Sequence, residues 1–214
     1  MTAMSELQRL KGLLPPEMQS WVFVEAAAAV DPSLITLEEI GRDEVEIQVD
    51  LDSWDSLALD HRNLLFWHEV GRIQNDTIPR DGWEMAALAI GLGGAIGELW
   101  VQDGLLLMMA LGLSGFAGYR LYLKNNSEKR LRDAIAADER AIDLACRFGY
   151  SVPNAYKSLG GALKDLVEKT RKKKKRGYYE DRLEALRKSA GKARAEMAQQ
   201  QGSRQSVTSE NVYG

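Results

Sequence analysis

Between Glu84 and Glu98 stand thirteen residues without a charge, MAALAIGLGGAIG, and between Asp103 and Arg120 sixteen more, GLLLMMALGLSGFAGY. Two such runs must hide from water, so they constrain the fold more than any other feature. Extended through Leu99–Val101 and through Leu121–Leu123, each reaches about 18 to 20 residues, the length of a spanning helix. The spacing predicts a transmembrane helical hairpin over 84–123, with Glu98 and Asp103 near its turn. Gly93, Gly97, Gly112, Ser114, Gly115 and Gly118 supply the small residues that let membrane helices approach closely. Trp83, Trp100, Tyr119 and Tyr122 stand at the ends, where interfacial aromatics belong. Arg80 precedes the hairpin, and Arg120, Lys124, Lys129, Arg130 and Arg132 follow it, while the turn has no basic residue. Both ends are therefore expected on the cytoplasmic or stromal side of an integral membrane protein, in a thylakoid or plasma membrane. A hairpin buried inside a soluble helical domain is the alternative, favoured by the mean hydropathy of −0.31.

The rest of the chain is polar enough to surround a core of its own. Net charge is −3, which gives no general attraction to nucleic acid. Residues 31–60 carry ten acidic side chains against the single Arg42. The lone Cys146 excludes an internal disulfide framework and reads as a small buried apolar residue. MTAMSELQRLKGLLPPE lacks the apolar core of a signal peptide, so export of the front of the chain is not expected.

Residues 5–13 read as a short helix stopped by Pro15-Pro16. SWVFVEAAAAV (20–30) is apolar enough for burial as either strand or helix. DEVEIQVDLDSW (43–54) alternates Val45, Ile47, Val49 and Leu51 with acidic or amide residues, a strand with one wet face. It suits a sheet edge or a docking strand for a partner. Asp55 or Ser56 is expected to cap a helix over 57–74. Amphipathic helices follow over 127–150, 155–171 and 178–200, ahead of a disordered end. The domains read as an N-terminal segment 1–56, a helical domain 57–187 containing the hairpin, and a tail 188–214. The fold class is mainly α with a small β element (α+β).

The chemistry turns on NLLFWHEVGRIQ (63–74). His68-Glu69 opens the H-E-x-x-H pattern of zinc peptidases, but Arg72 stands where the second histidine belongs. A guanidinium has no lone pair to donate and repels a cation. His61 is about 10 Å away along the axis, too far to share one ion. Arg72 can instead pair with Glu69, or with Asp138 from a facing helix.

The order of elements around this helix resembles the HtpX-like integral-membrane zinc metallopeptidases, a gluzincin family. Ala137-Asp138 matches an Ala-Asp pair whose Asp supports a ligating histidine in that family. The family's upstream ligand Glu falls on Ala134 or Ile135, and Arg182-Leu183 stands for its closing Arg-Ile pair. The resemblance covers residues 57–187 and implies a metallopeptidase-like helical frame that has lost its metal, with His68, Glu69 and Asp138 vestigial. The chain as a whole looks like an uncharacterised membrane family of oxygenic phototrophs.

These readings point to a non-catalytic membrane protein, a pseudoprotease, acting by protein interaction in assembly or turnover of a membrane complex. No cofactor, metal or nucleic acid is expected; membrane lipid and a membrane-protein partner are. The rival is an active zinc peptidase using His61 or His68, Glu69, Asp138 and Glu139. Lys172, Lys173, Lys174, Lys175 and Arg176 form either a solvated join or a contact for anionic lipid or a partner.

Overall fold

A computed structural model describes residues 3–28, 34–40, 44–77, 87, 89–93, 104–124 and 127–210. Helix α1 (Ala3–Gly12) ends ahead of Pro15, and a 3-10 turn (Pro16–Met18) leads into strand β1 (Val22–Ala26). Strands β2 (Ile35–Glu39) and β3 (Val45–Val49) complete a sheet of order β1-β3-β2. A short helix α2 (Leu51–Trp54) precedes α3 (Leu59–Gln74). Then come α4 (Gly104–Lys124), α5 (Ser127–Arg147), α6 (Val152–Lys169) and α7 (Lys173–Glu210). The chain is mainly helical with a small sheet, as the α+β reading expects. It divides into two compact units, residues 1–78 with 134–214, and residues 79–133.

In the first unit, β3 is the central strand, parallel to β1 with Val22 opposite Val45 and antiparallel to β2 with Ile35 opposite Val49. The acidic strand is therefore not an edge, which corrects the edge or docking-strand reading. Period two still sorts its side chains: Val45, Ile47 and Val49 are buried, while Gln48 bonds Glu38 and Glu46 on the wet face. The strand also ends sooner than alternation suggests. The buried Asp50 leaves the sheet and accepts the Ser53 amide at 3.3 Å, capping α2.

Helix α3 is the axis of this unit. Leu64, Leu65, Phe66, Trp67 and Val70 are buried in one core with sheet residues, Leu10 of α1, Leu14 just after it, and Leu159, Leu163 and Leu166 of α6. Its N-cap is Ala58, without a side-chain bond, where Asp55 or Ser56 was expected. Asp55 instead receives the Arg62 guanidinium at 2.9 Å. Helix α5 ends at a turn where Gly149 takes φ +91°, a conformation that suits glycine. The final helix begins inside the basic run and reaches Glu210, past residue 200 where periodicity alone would stop it.

The second unit contains α4 and helical residues at 87 and 89–93. Ala87, Ser114 and Ala117 are buried, and a Cβ on Gly91 would collide with Ser114 Oγ and lie 2.9 Å from the Ala110 carbonyl oxygen. Close approach thus occurs at Gly91 and Ser114; Gly93, Gly112 and Gly115 face open space, and Gly97 lies outside the described residues. The opposite face of α4 exposes Met108, Met109, Leu111 and Phe116. Most of the first arm of the expected hairpin lies outside the described residues. Among the described residues, no helix is long and apolar enough to cross a membrane.

One glycine positions the candidate site. A Cβ on Gly71 would stand 2.8 Å from the Ala137 carbonyl oxygen and 2.9 Å from Arg140 Cβ. Helices α3 and α5 therefore touch backbone to backbone beside His68 and Asp138. In an isolated helix alanine is favoured over glycine by about 1 kcal/mol. Here Gly71→Ala should instead destabilise by roughly 1–3 kcal/mol through overpacking, read as a lower midpoint of urea unfolding.

Candidate functional site

Three helices bring their polar groups to one buried point. The sequence places His68 and Glu69 within the core-facing stretch of α3 and Asp138 among the buried alanines of α5, while Arg182 shares a helical face with Tyr179 and Leu186 of α7. His68 is 4% exposed, Asp138 3% and Arg182 3%, so none can rely on water. Arg182 meets Asp138 in a two-pronged bond, Nε to Oδ2 at 3.1 Å and Nη2 to Oδ1 at 2.5 Å. His68 Nδ1 lies 2.8 Å from the same Oδ1 and 3.0 Å from Arg182 Nη2. Arg182 can only donate, so Oδ1 is the shared acceptor and Nδ1–H of a neutral His68 donates to it. Nε2 then carries the lone pair, with Glu69 Oε1 3.9 Å away, beyond hydrogen-bond reach.

The electrostatics agree with this assignment. Burial pushes the His68 imidazole below its usual value, and the Arg182 charge pushes it lower still. Burial alone would raise Asp138, but Arg182 and then His68 more than offset it, holding the carboxyl below its usual range. Arg182 is driven the opposite way: desolvation opposes its charge and Asp138 more than restores it. Tyr178 and Tyr179 cover the guanidinium, with centroids 5.8 and 6.0 Å from Cζ. Burial pushes the Tyr179 phenol up to about 12.

Arg72 engages Glu69 on its own helix, Nη1 to Oε2 at 2.8 Å, and reaches the Thr77 carbonyl at 3.4 Å. Of the two partners open to it in sequence, it takes Glu69; the link to Asp138 belongs to Arg182. The periodicity of α7 carried a signal for that role, since Tyr179, Arg182 and Leu186 share one apolar stripe. His61 lies apart from this cluster, its Nδ1 2.7 Å from Asp165 Oδ2 of α6 and its ring pressed against Gly161. Glu139 is on the exposed side of α5, and Ala134 is buried one turn before Asp138. Lys172 to Arg176 are exposed at the α6–α7 turn and the first turn of α7.

This donor set does not fit a zinc ion. Both oxygens of Asp138 are engaged by Arg182, a guanidinium holds Glu69, and a methyl group occupies position 134. Two fixed cations beside one imidazole repel a third. Among the described residues no group of three or more His, Cys, Asp or Glu side chains could hold a metal ion.

A second polar network, not signalled by any motif, joins α1 to α3. Glu6, 1% exposed, accepts both prongs of Arg9 at 2.8 and 2.7 Å, Trp54 Nε1 at 3.1 Å and Arg62 at 3.2 Å. Arg9 holds the Glu6 carboxyl below the usual carboxylate range. Arg9 also bonds Asn63 at 2.6 Å, which donates to the Tyr150 hydroxyl at 3.0 Å.

Removing one member of the buried cluster should cost more than removing two. Arg182→Met strands the Asp138 charge and is expected to destabilise by roughly 3–5 kcal/mol, whereas Asp138→Leu with Arg182→Met should recover much of that loss. Guanidinium unfolding followed by tryptophan fluorescence measures both. Acid should act on the same point. The folded value of His68 lies below 6.5, so the unfolded chain binds the proton first. Its contribution is fully present above pH 6.5 and declines as pH falls through and below that value. Asp138 and Glu6, also depressed, add their losses only below their usual 3.8 and 4.5. Unfolding midpoints between pH 5 and 7 should therefore slope downward toward acid, and His68→Gln should flatten that slope.

The family model described as "Protein of unknown function (DUF3318)" matches residues 8–150. A Synechocystis sp. protein named "Thylakoid membrane protein slr1949" is 69% identical over 192 residues, which is 90% of this chain and 91% of that protein. Neither match bears a peptidase's description. No solved structure matches. With a family model spanning about two thirds of its length and so similar a relative, the chain belongs to the DUF3318 family.

Proposed function

We propose that this chain is a thylakoid membrane protein that works by binding other proteins, without catalysis, in assembly or turnover of a membrane complex. The observation that carries the non-catalytic reading is the Arg182–Asp138–His68 cluster. Where a gluzincin-like frame would place a metal-supporting carboxylate, the carboxylate neutralises a buried guanidinium and knits three helices. A scaffold held this way keeps a rigid outer surface, with Asp138 and Glu69 tied up by arginines rather than directed at a substrate.

Membrane attachment rests on the hairpin. The exposed Met108, Met109, Leu111 and Phe116 give α4 an apolar face suited to lipid, and the small side chains at Gly91 and Ser114 suit contact between its helices. The relative's name supports the thylakoid as the membrane. With both hairpin ends on the stromal side, Lys172 to Arg176 would lie on that side too, each near-surface charge attracted to anionic lipid by about 1 kcal/mol.

The chain should remain with the membrane pellet through a carbonate wash; recovery in the soluble fraction without detergent would remove the membrane reading. Detergent-purified protein should carry no stoichiometric zinc by elemental analysis, and affinity-tagged chain should bring down the same membrane proteins whether residue 69 is Glu or Gln. One zinc per chain, or loss of function confined to the Glu69→Gln variant with folding intact, would favour the peptidase instead.

A further inference from the structure

Away from the buried cluster, α6 and α7 diverge near the start of α3 and leave a groove of about 650 Å³. Its floor combines Ala190 and Ala193 of α7 with Leu183 and Leu186, which face Gly160 of α6, and the His61 ring, which covers Gly161. Its walls carry Lys157 and Lys164 on α6 and Arg187 and Arg194 on α7. Each pair is separated by seven residues, two turns and about 10 Å along the helix. All four are exposed, and none has an ion-pair partner among the described residues. Some nearby carboxylates are already engaged, while Glu139, Asp143 and Glu196 act on Tyr156 at the groove from α5 and α7. Asp165 is bound by His61 at 2.7 Å, Asp60 accepts the Tyr150 hydroxyl at 2.7 Å, and Glu184 is paired with Lys188 at 2.7 Å. The result is two cationic rails along a groove in which Asp60 is the one carboxylate among the described lining residues, in a chain whose net charge is −3.

We infer that this groove binds an extended acidic peptide segment of a partner protein. The inference rests on the protein-interaction reading and names the chemistry of the partner. A single phosphate or headgroup is too compact to reach cations about 10 Å apart on both walls. An extended peptide rises about 3.3 Å per residue and sends successive side chains to opposite sides, so some six residues address both rails at once. Single-stranded nucleic acid is also linear and anionic, but it is held by rows of aromatic stacking platforms. Tyr150 and Tyr156 are the phenols among the described lining residues, and neither is stacked on another ring in line along the rails.

Fluorescence anisotropy on the full chain in a neutral detergent tests this, with fluorescein-labelled hexaglutamate flanked by Gly-Ser as probe. The wild type should bind it, and the quadruple variant K157A/K164A/R187A/R194A should bind roughly tenfold or more weakly, the sum of several exposed ion pairs. Ala193→Trp, which fills the floor without changing charge, should weaken binding as well. Replacing Lys172 to Arg176 with alanine should leave the affinity within about twofold, since that run lies outside the groove. All variants alter exposed or half-buried positions, and circular dichroism melts check that they fold. Equal binding by wild type and the quadruple variant would overturn the proposal. So would loss of binding only when 172–176 is changed, or tighter binding of oligo-dT or phosphatidylglycerol vesicles than of the acidic peptide. Failure of this assay while tagged protein still captures membrane partners would refute the groove alone and leave the interaction reading standing.

Discussion

The junction of α3, α5 and α7 is arranged around one desolvated charge, the Asp138 carboxylate. Burial of such a group costs several kcal/mol unless donors surround it. Arg182 supplies two bonds and His68 a third, each from a different helix. The three donor–acceptor directions fix the relative rotation of α3, α5 and α7 more strictly than apolar contacts do, because hydrogen bonds weaken steeply with angle whereas hydrophobic contacts do not. Gly71 makes the arrangement possible by letting the α3 and α5 backbones meet. The surrounding leucines and alanines then supply the bulk of the stabilisation.

Legibility in the sequence followed the physics of each feature. Period two identified β3 because half its side chains are wet and half are dry, and that contrast survives wherever the strand sits in the sheet. Its central position was not legible, since sheet order depends on partners distant in the chain. The amphipathic stripes of α5 and α6 were readable for the same reason as β3. The N-cap of α3 misled: Asp55 found a better partner in Arg62, and Asp50 capped the short helix before it. The members of the Glu6 network are scattered from residue 6 to residue 150, with no spacing to betray them.

The candidate site was half legible. His68 and Glu69 stood out by type and spacing, Asp138 only through the family resemblance, and the structure brings His68 and Asp138 into contact. The counter-charge was harder. Arg72 and Arg182 are equally cationic in a sequence, and only depth distinguishes them: Arg72 keeps a side chain 24% exposed, while that of Arg182 is 4% exposed. A guanidinium at the surface prefers a neighbour one turn away on its own helix. One at the centre must be met by a charge delivered from elsewhere in the fold.

The buried cluster also imposes an order of events on synthesis. Helices α3 and α5 emerge from the ribosome well before α7, and domains tend to fold as soon as their parts are available. Until residue 182 arrives, closing α3 on α5 would bury Asp138 with only a neutral imidazole beside it. The early helices therefore gain little by docking tightly ahead of time. Arg182 acts as a latch that emerges after both helices it joins, so the first unit locks only once residues 79–133 have already been made.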